Sequence, residues 1–239
     1  MQNLAFMGKE NDNNSVIAFD AQKVCVPEYH GLFKKKNSVF EYIPYPIEYH
    51  VYMLKQEFRE SVVEEILKTK RFGKKMPKFL STFLKNTYGK TLYELFFRPY
   101  YQKIFHEDLT KIIFLDVEKY FRKTTAKEIL LKNFNSAGEH ACSIQEILPP
   151  CNVTEVCVKT DRNAYSSILI PNENCKAFRI TAINEKSDYN AVVEFAFEVS
   201  KDEIEEELLK LPLNPKYVSH SYKAIQEDEN QEKIINEIQ

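Results

Sequence analysis

Residues Tyr88 to Lys103 read YGKTLYELFFRPYYQK, and the spacing of aromatic residues in this stretch decides how the chain divides into helices and strands. After Gly89, Phe97, Tyr100 and Ile104 recur three and four residues apart, while Glu94, Arg98 and Tyr101 fall on an adjoining face, so a helix is expected from about Thr91 to Ile104. Upstream, Phe58, Val62, Val63, Ile66 and Leu67 predict an amphipathic helix over Gln56 to Phe72. Gly73 and Pro77 interrupt it before a second helix marked by Leu80, Phe83 and Leu84, and Ala126 to Phe134 is a further short candidate.

Outward from this helical block the pattern changes to strands. Ser15 to Phe19, Lys23 to Val26 and Ser38 to Ile43 are short β-branched or aromatic runs, the last ended by Pro44 and Pro46. Beyond a loop-rich connection over Asn135 to Pro150 come four more runs: Asn152 to Lys159, Ser166 to Ile170, Ala177 to Ile183 and Ala191 to Val199. Polar turns separate them, which predicts a meandering antiparallel sheet with one solvated or ligand-facing side. A closing helix is expected over Asp202 to Leu211, whose carboxylates gather in its early turns. The fold class is therefore α+β: an antiparallel or mixed sheet of about six strands with three to four helices inserted after the first strands. Residues 1–222 are expected to form one domain, and residues 223–239 an acidic tail.

Composition narrows the function. With 44% hydrophobic residues and a formal charge of -2, the chain is expected to bury a core and not to bind nucleic acid through a uniformly basic surface. A basic stretch does run from Ile66 to Tyr93, where no acidic residue interrupts Lys68, Lys70, Arg71, Lys74, Lys75, Lys78, Lys85 and Lys90. Such a segment suits an anion or an acidic partner, or is a solvated face. No apolar run reaches the roughly 20 residues of a membrane span, and the start lacks a signal-peptide core, so a cytoplasmic location is expected. Five cysteines without a C-x-x-C pair fit reduced thiols, and no zinc cluster is expected. The five glycines, Gly8, Gly31, Gly73, Gly89 and Gly138, are too far apart for a dinucleotide fingerprint or a Walker loop.

Three segments resemble, in order, a flavoprotein group that includes UDP-galactopyranose mutase and the protoporphyrinogen-oxidase-like amine oxidases. Val39 to Ile47, VFEYIPYPI, is similar to a strand ending in an iPYP turn. Tyr88 to Lys103 is similar to the group's helix of type G-x-x-LYE-x-FF-x-x-Y-x-x-K, and Ala177 to Thr181 with Ala191 to Val199 is similar to late strands of its substrate domain. The group's Trp and Gly after the motif lysine are here Phe105 and His106, and its dinucleotide loop has no counterpart. The resemblance implies the substrate-binding half of such an enzyme without the flavin-binding half.

Candidate ligand contacts follow from the residues themselves and, for the helix that borders the substrate cleft in the group, from the resemblance. Tyr45, restrained between Pro44 and Pro46, would present a ring or hydroxyl, or else pack at a strand end. Arg98, Tyr100 and Lys103 would clamp a phosphate or stack on a base; the plainer reading is a Glu94–Arg98 pair over a buried aromatic stripe. Arg179, on a strand with Ala177 and Thr181 on its face and Phe178 and Ile180 on the other, would meet an anion from the open side of the sheet. No catalytic residue is assigned, and His106, Glu107 and Asp108 read as surface groups. The expected function is a non-redox binding module for an anionic small molecule such as a nucleotide sugar. The alternatives are an interaction subunit docking on a flavoprotein or other partner, and an atypical flavin-dependent oxidoreductase or mutase; a homo-oligomer is also allowed. No cofactor is expected, FAD entering only through an atypical site or a partner.

Overall fold

Apolar residues at alternate positions build the sheet wherever one face is buried, and continuous apolar runs build it where both are. The computed structural model describes residues 15–20, 33–35, 38–68, 76–117, 121, 124–134, 152–161, 165–183 and 189–223. Its strands are β1 (Ser15–Asp20), β2 (Phe33–Lys35), β3 (Ser38–Pro44), β4 (Val153–Lys159), β5 (Ser167–Leu169), β6 (Ala177–Ala182), β7 (Ala191–Phe195) and β8 (Lys216–Lys223). They form one sheet in the order β2-β3-β1-β5-β6-β7-β4-β8. Among the described strands, β1 and β5 pair in parallel and all other neighbours are antiparallel.

Between β3 and β4 lie α1 (Gln56–Lys68), α2 (Leu80–Leu92), a π turn (Tyr93–Phe97), α3 (Arg98–Phe105), α4 (Phe114–Val117) and α5 (Ala126–Phe134); α6 (Lys201–Leu208) comes after β7. The chain is thus α+β, with the helices inserted where the periodicity placed them, except the short α4, which no expected helix covers. The strand total among the described residues is eight, not about six. Both unanticipated strands lack an apolar signature: β2 has three residues, and β8, KYVSHSYK, is almost wholly exposed. The expected strand over Lys23 to Val26 and the loop over Asn135 to Pro150 lie outside the described residues.

Two corrections concern the sheet. The late strands are not a simple meander, because β5 takes β1 as its neighbour and β4 instead closes on the far side of β7. Nor does the sheet keep a solvated side at its centre. One face packs Ile17, Ile43, Leu169 and Phe178 against Leu80, Phe83, Tyr88 and Phe96 of the helices. On the other, Val16, Ile168, Ile180, Val193 and Val156 lie under Ile204, Leu208 and Leu211. α6 is set in place by a capping box, in which Ser200 Oγ accepts from the Glu203 amide (3.4 Å) and Glu203 Oε2 from the Ser200 amide (3.2 Å).

Gly89 breaks the long second helix. Its φ of 86° and ψ of 165° belong to a region open essentially to glycine. The break exposes the first amides of the next turn, and Glu65 of α1 takes them up: its Oε2 accepts from the Thr91 amide (2.8 Å) and its Oε1 from the Thr91 hydroxyl (3.0 Å). A Cβ on residue 89 would meet Glu65 Oε2 at 2.6 Å. Gly89→Ala is therefore expected to cost about 2 kcal/mol or more, combining backbone strain with a displaced cap, and Glu65→Ala about 1 kcal/mol. Chemical denaturation of both variants checks this.

Candidate functional site

The Pro44-Tyr45-Pro46 corner ends β3 against the helical layer. The Tyr45 amide donates to the Ser15 carbonyl of β1 (2.9 Å), the Tyr45–Pro46 peptide is cis, and the half-buried ring stands 6.2 Å from Phe96, which stacks on Tyr100 at 5.2 Å. Tyr49, Tyr88 and Tyr101 complete a buried group around the 5% exposed Glu48. Burial holds the phenols of Tyr45, Tyr49, Tyr88 and Tyr101 well above their usual range, and the Glu48 charge adds to this in each. They therefore remain neutral hydroxyl donors at physiological pH. α5 closes the group: the Tyr49 hydroxyl donates to Glu128 Oε1 (2.9 Å) and Asn133 Nδ2 to the Glu48 carbonyl (2.7 Å).

Arg179 arrives by a β-bulge. β6 opposes Phe195 with Ala177 but Glu194 with Arg179, so Phe178 is an extra residue in the ladder. The strict alternation expected for this strand fails there: Phe178 packs with the helix-side core, whereas Ala177 and Ile180 belong to the opposite one. Arg179 is also not facing open solvent. Its Nε donates to Glu194 Oε2 and its Nη2 to Glu194 Oε1 (2.6 Å), while the Thr181 hydroxyl donates to Oε2 (3.0 Å). The two charged side chains are only 11% and 6% exposed. Tyr100 lies near this pair: burial raises its phenol, and the Arg179 charge opposes the rise.

The structure thus brings Tyr45, Tyr100 and Arg179 into one neighbourhood through Phe96, and sets Arg98 and Lys103 apart. Arg98 Nε donates to Glu94 (2.7 Å) and its Nη1 pairs with Glu173 (3.0 Å), on the more exposed side of α3. Lys103 reaches the sheet, where its Nζ donates to the carbonyls of Ile170 (2.8 Å) and Ala177 (3.1 Å). Glu48, Glu194 and the extra tyrosines were not anticipated as site residues. Glu194 carried a signal, a lone carboxylate within the apolar run AVVEF across from a lone arginine in AFRI.

Of the basic stretch, residues 69–75 lie outside the described region. Lys68 pairs with Glu64, and Lys85 stands over the Tyr93 ring at 4.4 Å. His106, Glu107 and Asp108 are exposed, and His106 takes the left-handed conformation (φ 53°) that glycine would adopt at a helix end. Among the described residues no cluster of three or more His, Cys, Asp or Glu is arranged to hold a metal ion, and no helix is long and apolar enough to cross a membrane.

Neither a comparison with protein-family models nor one with curated proteins finds a match. Solved structures do match. The chain superposes on reduced UDP-galactopyranose mutase with a TM-score of 0.62 at 12% identity, covering 90% of this chain and 67% of that one. A protoporphyrinogen oxidase homologue from Exiguobacterium sp. 255-15 gives 0.48 at 12% identity, covering 89% and 68%. The first of these establishes a shared fold.

The buried charges carry two expected outcomes. Removing one partner of a buried ion pair strands the other, so Glu194→Ala is expected to lower stability by about 3 to 5 kcal/mol, more than Glu94→Ala at the exposed pair, as read by denaturant titration. Desolvation pushes the Lys103 amine down from 10.5 to about 8, so between those values the unfolded chain holds the proton and the folded chain does not. Stability contributed by this group therefore rises with pH above about 8 and is lowest below it. The Cys175 thiol, raised by burial from 9.0 to about 11, acts in the opposite direction only above about pH 9. Unfolding free energies compared at pH 8 and 9 are expected to show an increase in the wild type that Lys103→Met lacks.

Proposed function

We propose that this chain is a cytoplasmic, non-redox binding module that recognises an anionic small molecule of the nucleotide-sugar kind. The observation that carries the reading is the contiguous set of Tyr45, Phe96, Tyr100 and Arg179, held in a fold shared with UDP-galactopyranose mutase. The half-buried Tyr45 ring offers a stacking surface at the end of β3, and Arg179 supplies a guanidinium preset by Glu194 and Thr181. Arg98 and Lys103 act at the periphery, each already engaged by groups of the chain. The chain binds no flavin of its own; a colourless purified protein agrees with this, and a yellow one makes it an atypical flavoprotein instead.

Titration calorimetry with UDP-galactose and UDP tests the proposal. Binding is expected in the range of about 10 to 500 μM, weakened about tenfold or more by Tyr45→Ala and by Arg179→Ala but only a few-fold by Arg98→Ala. Absence of heat and of chemical-shift change at millimolar ligand removes the small-molecule reading. A second reading, a subunit docking on a flavoprotein partner, draws on the outward-facing Ile113 and Leu115, which are 42% and 68% exposed. Co-purification of a flavoprotein from the native host, lost on Leu115→Glu, favours it.

A further inference from the structure

β8 is an edge strand, and its sequence is built to meet a copy of itself. Among the described residues it pairs only with β4, from Lys216 to Lys223, and no described strand pairs with its other side. The β4–β8 ladder has one irregularity: Val158 opposes Tyr217 and Cys157 opposes Ser219, so Val218 has no partner in it. The residues that remain in the ladder are Lys216, Tyr217, Ser219, His220, Ser221, Tyr222 and Lys223. Read in either direction they give the same order, Lys-Tyr-Ser-His-Ser-Tyr-Lys.

An antiparallel pair of identical strands related by a two-fold axis places each position opposite its mirror position. Centred on His220, and with Val218 bulged out of the new pair as it is from the ladder with β4, β8 would set Tyr217 against Tyr222 of the second copy, Ser219 against Ser221, and His220 against itself. Every pair is chemically matched except the lysines at the two ends. Cross-strand aromatic and hydroxyl pairs are favourable, and the matched pattern exists at this register alone, because a one-residue slip turns each side chain to the wrong face. Faces agree as well: Tyr217, His220 and Tyr222 oppose Val158, Val156 and Thr154, all on one side of β4, so that side would run on across the axis. Tyr217 already packs on the core there, and Tyr222 is 39% exposed.

Charge does not forbid the pairing. Soluble proteins commonly blunt an edge with lysine in the middle of the strand; here the lysines flank an uncharged centre, and Lys223 is bonded to Glu155 Oε1 of its own chain (2.6 Å). Beyond Lys223 the sequence contains Glu227, Asp228 and Glu229, of opposite sign to the lysines.

We infer that β8 is a homodimerisation edge, joining two copies of this chain in an antiparallel β8–β8 pair centred on His220. The inference is independent of any ligand, since the tyrosine corner lies at the end of β3 and five strands lie between β3 and β8 in the sheet. A single strand pair buries little surface, so the dimer is expected at tens of micromolar and above.

Two measurements on the full chain decide the matter. Sedimentation from about 1 to 200 μM should show a monomer–dimer equilibrium, abolished by Tyr222→Asp without change in the melting temperature. Under mild oxidation the His220→Cys variant should form a disulfide between the two copies, mapped by mass spectrometry, at least about tenfold faster than Ser221→Cys cross-links to itself, because directly opposed Cα atoms stand within disulfide range and position 221 faces 219. A wild type that stays monomeric throughout, or equal cross-linking at 220 and 221, overturns the inference and leaves the edge to a strand from another protein.

Discussion

A sheet covered on both faces must neutralise any charge it takes in, and the ion pair between Arg179 and Glu194 is where this chain meets that demand. An unpaired ion in such a place would cost several kcal/mol. Here Glu194 accepts from two guanidinium nitrogens and from the Thr181 hydroxyl, so its lone pairs are used and the arginine is held flat against its neighbours. Such a pair is weak evidence of net stabilisation, because an apolar pair of similar volume would serve as well. Its consequence is positional. The bulge at Phe178 brings both Phe178 and Arg179 to the helix side, and only there does the guanidinium come near Tyr100.

The helical layer is held to that side by contacts that do not depend on helix propensity. Glu65 ties α1 to the start of the turn after Gly89, and Lys103 ties α3 to the carbonyls on either side of the β5–β6 turn. Between these anchors the π turn over Tyr93–Phe97 carries Phe96 and Phe97 into the core, with Phe97 stacked on Tyr88 at 4.4 Å and Phe96 on Tyr100. The extra residue of a π turn rotates the succeeding residues relative to an ideal α-helix. The orientation of Arg98, outward toward Glu94 and Glu173, and of Tyr100, inward, is a property of this local geometry as much as of residue type.

How much of this was legible in the sequence depended on whether a residue's environment is set locally. The helices of the inserted block other than α4, and the strands β1, β3, β4, β5, β6 and β7, arise from short-range periodicity, and each was recoverable within a few residues. β8 was not, because its alternation carries no apolar face and its partner, β4, precedes it by 63 residues, from Val153 to Lys216. The bulge at Phe178 was invisible for a different reason: AFRIT reads as a regular alternating strand, and only pairing with β7 shows the extra residue. For the candidate site, Tyr45 and Tyr100 stood out as aromatic residues in constrained contexts, but the tyrosines and Glu48 that gather beside Tyr45 come from separate elements that no local pattern joins.

At 12% identity a fold is preserved through the order of buried positions and not through particular side chains. What a binding surface can do then rests on which polar groups remain uncommitted, and here the cations are largely committed. Arg98 meets two carboxylates, Arg179 is held bidentately by a third, and Lys103 is spent on two carbonyls. A phosphate approaching Arg179 would have to share a guanidinium already held by a carboxylate, so that cation would orient a ligand at this corner without carrying the affinity alone. Selectivity would have to come from the half-buried ring of Tyr45, since the neighbouring phenols already hold partners within the chain, Tyr49 on Glu128 among them. On the proposed reading, recognition would fall at the Pro44-Tyr45-Pro46 corner, where a strand end meets the helical layer, and not on the broad face of the sheet, which the core has already filled.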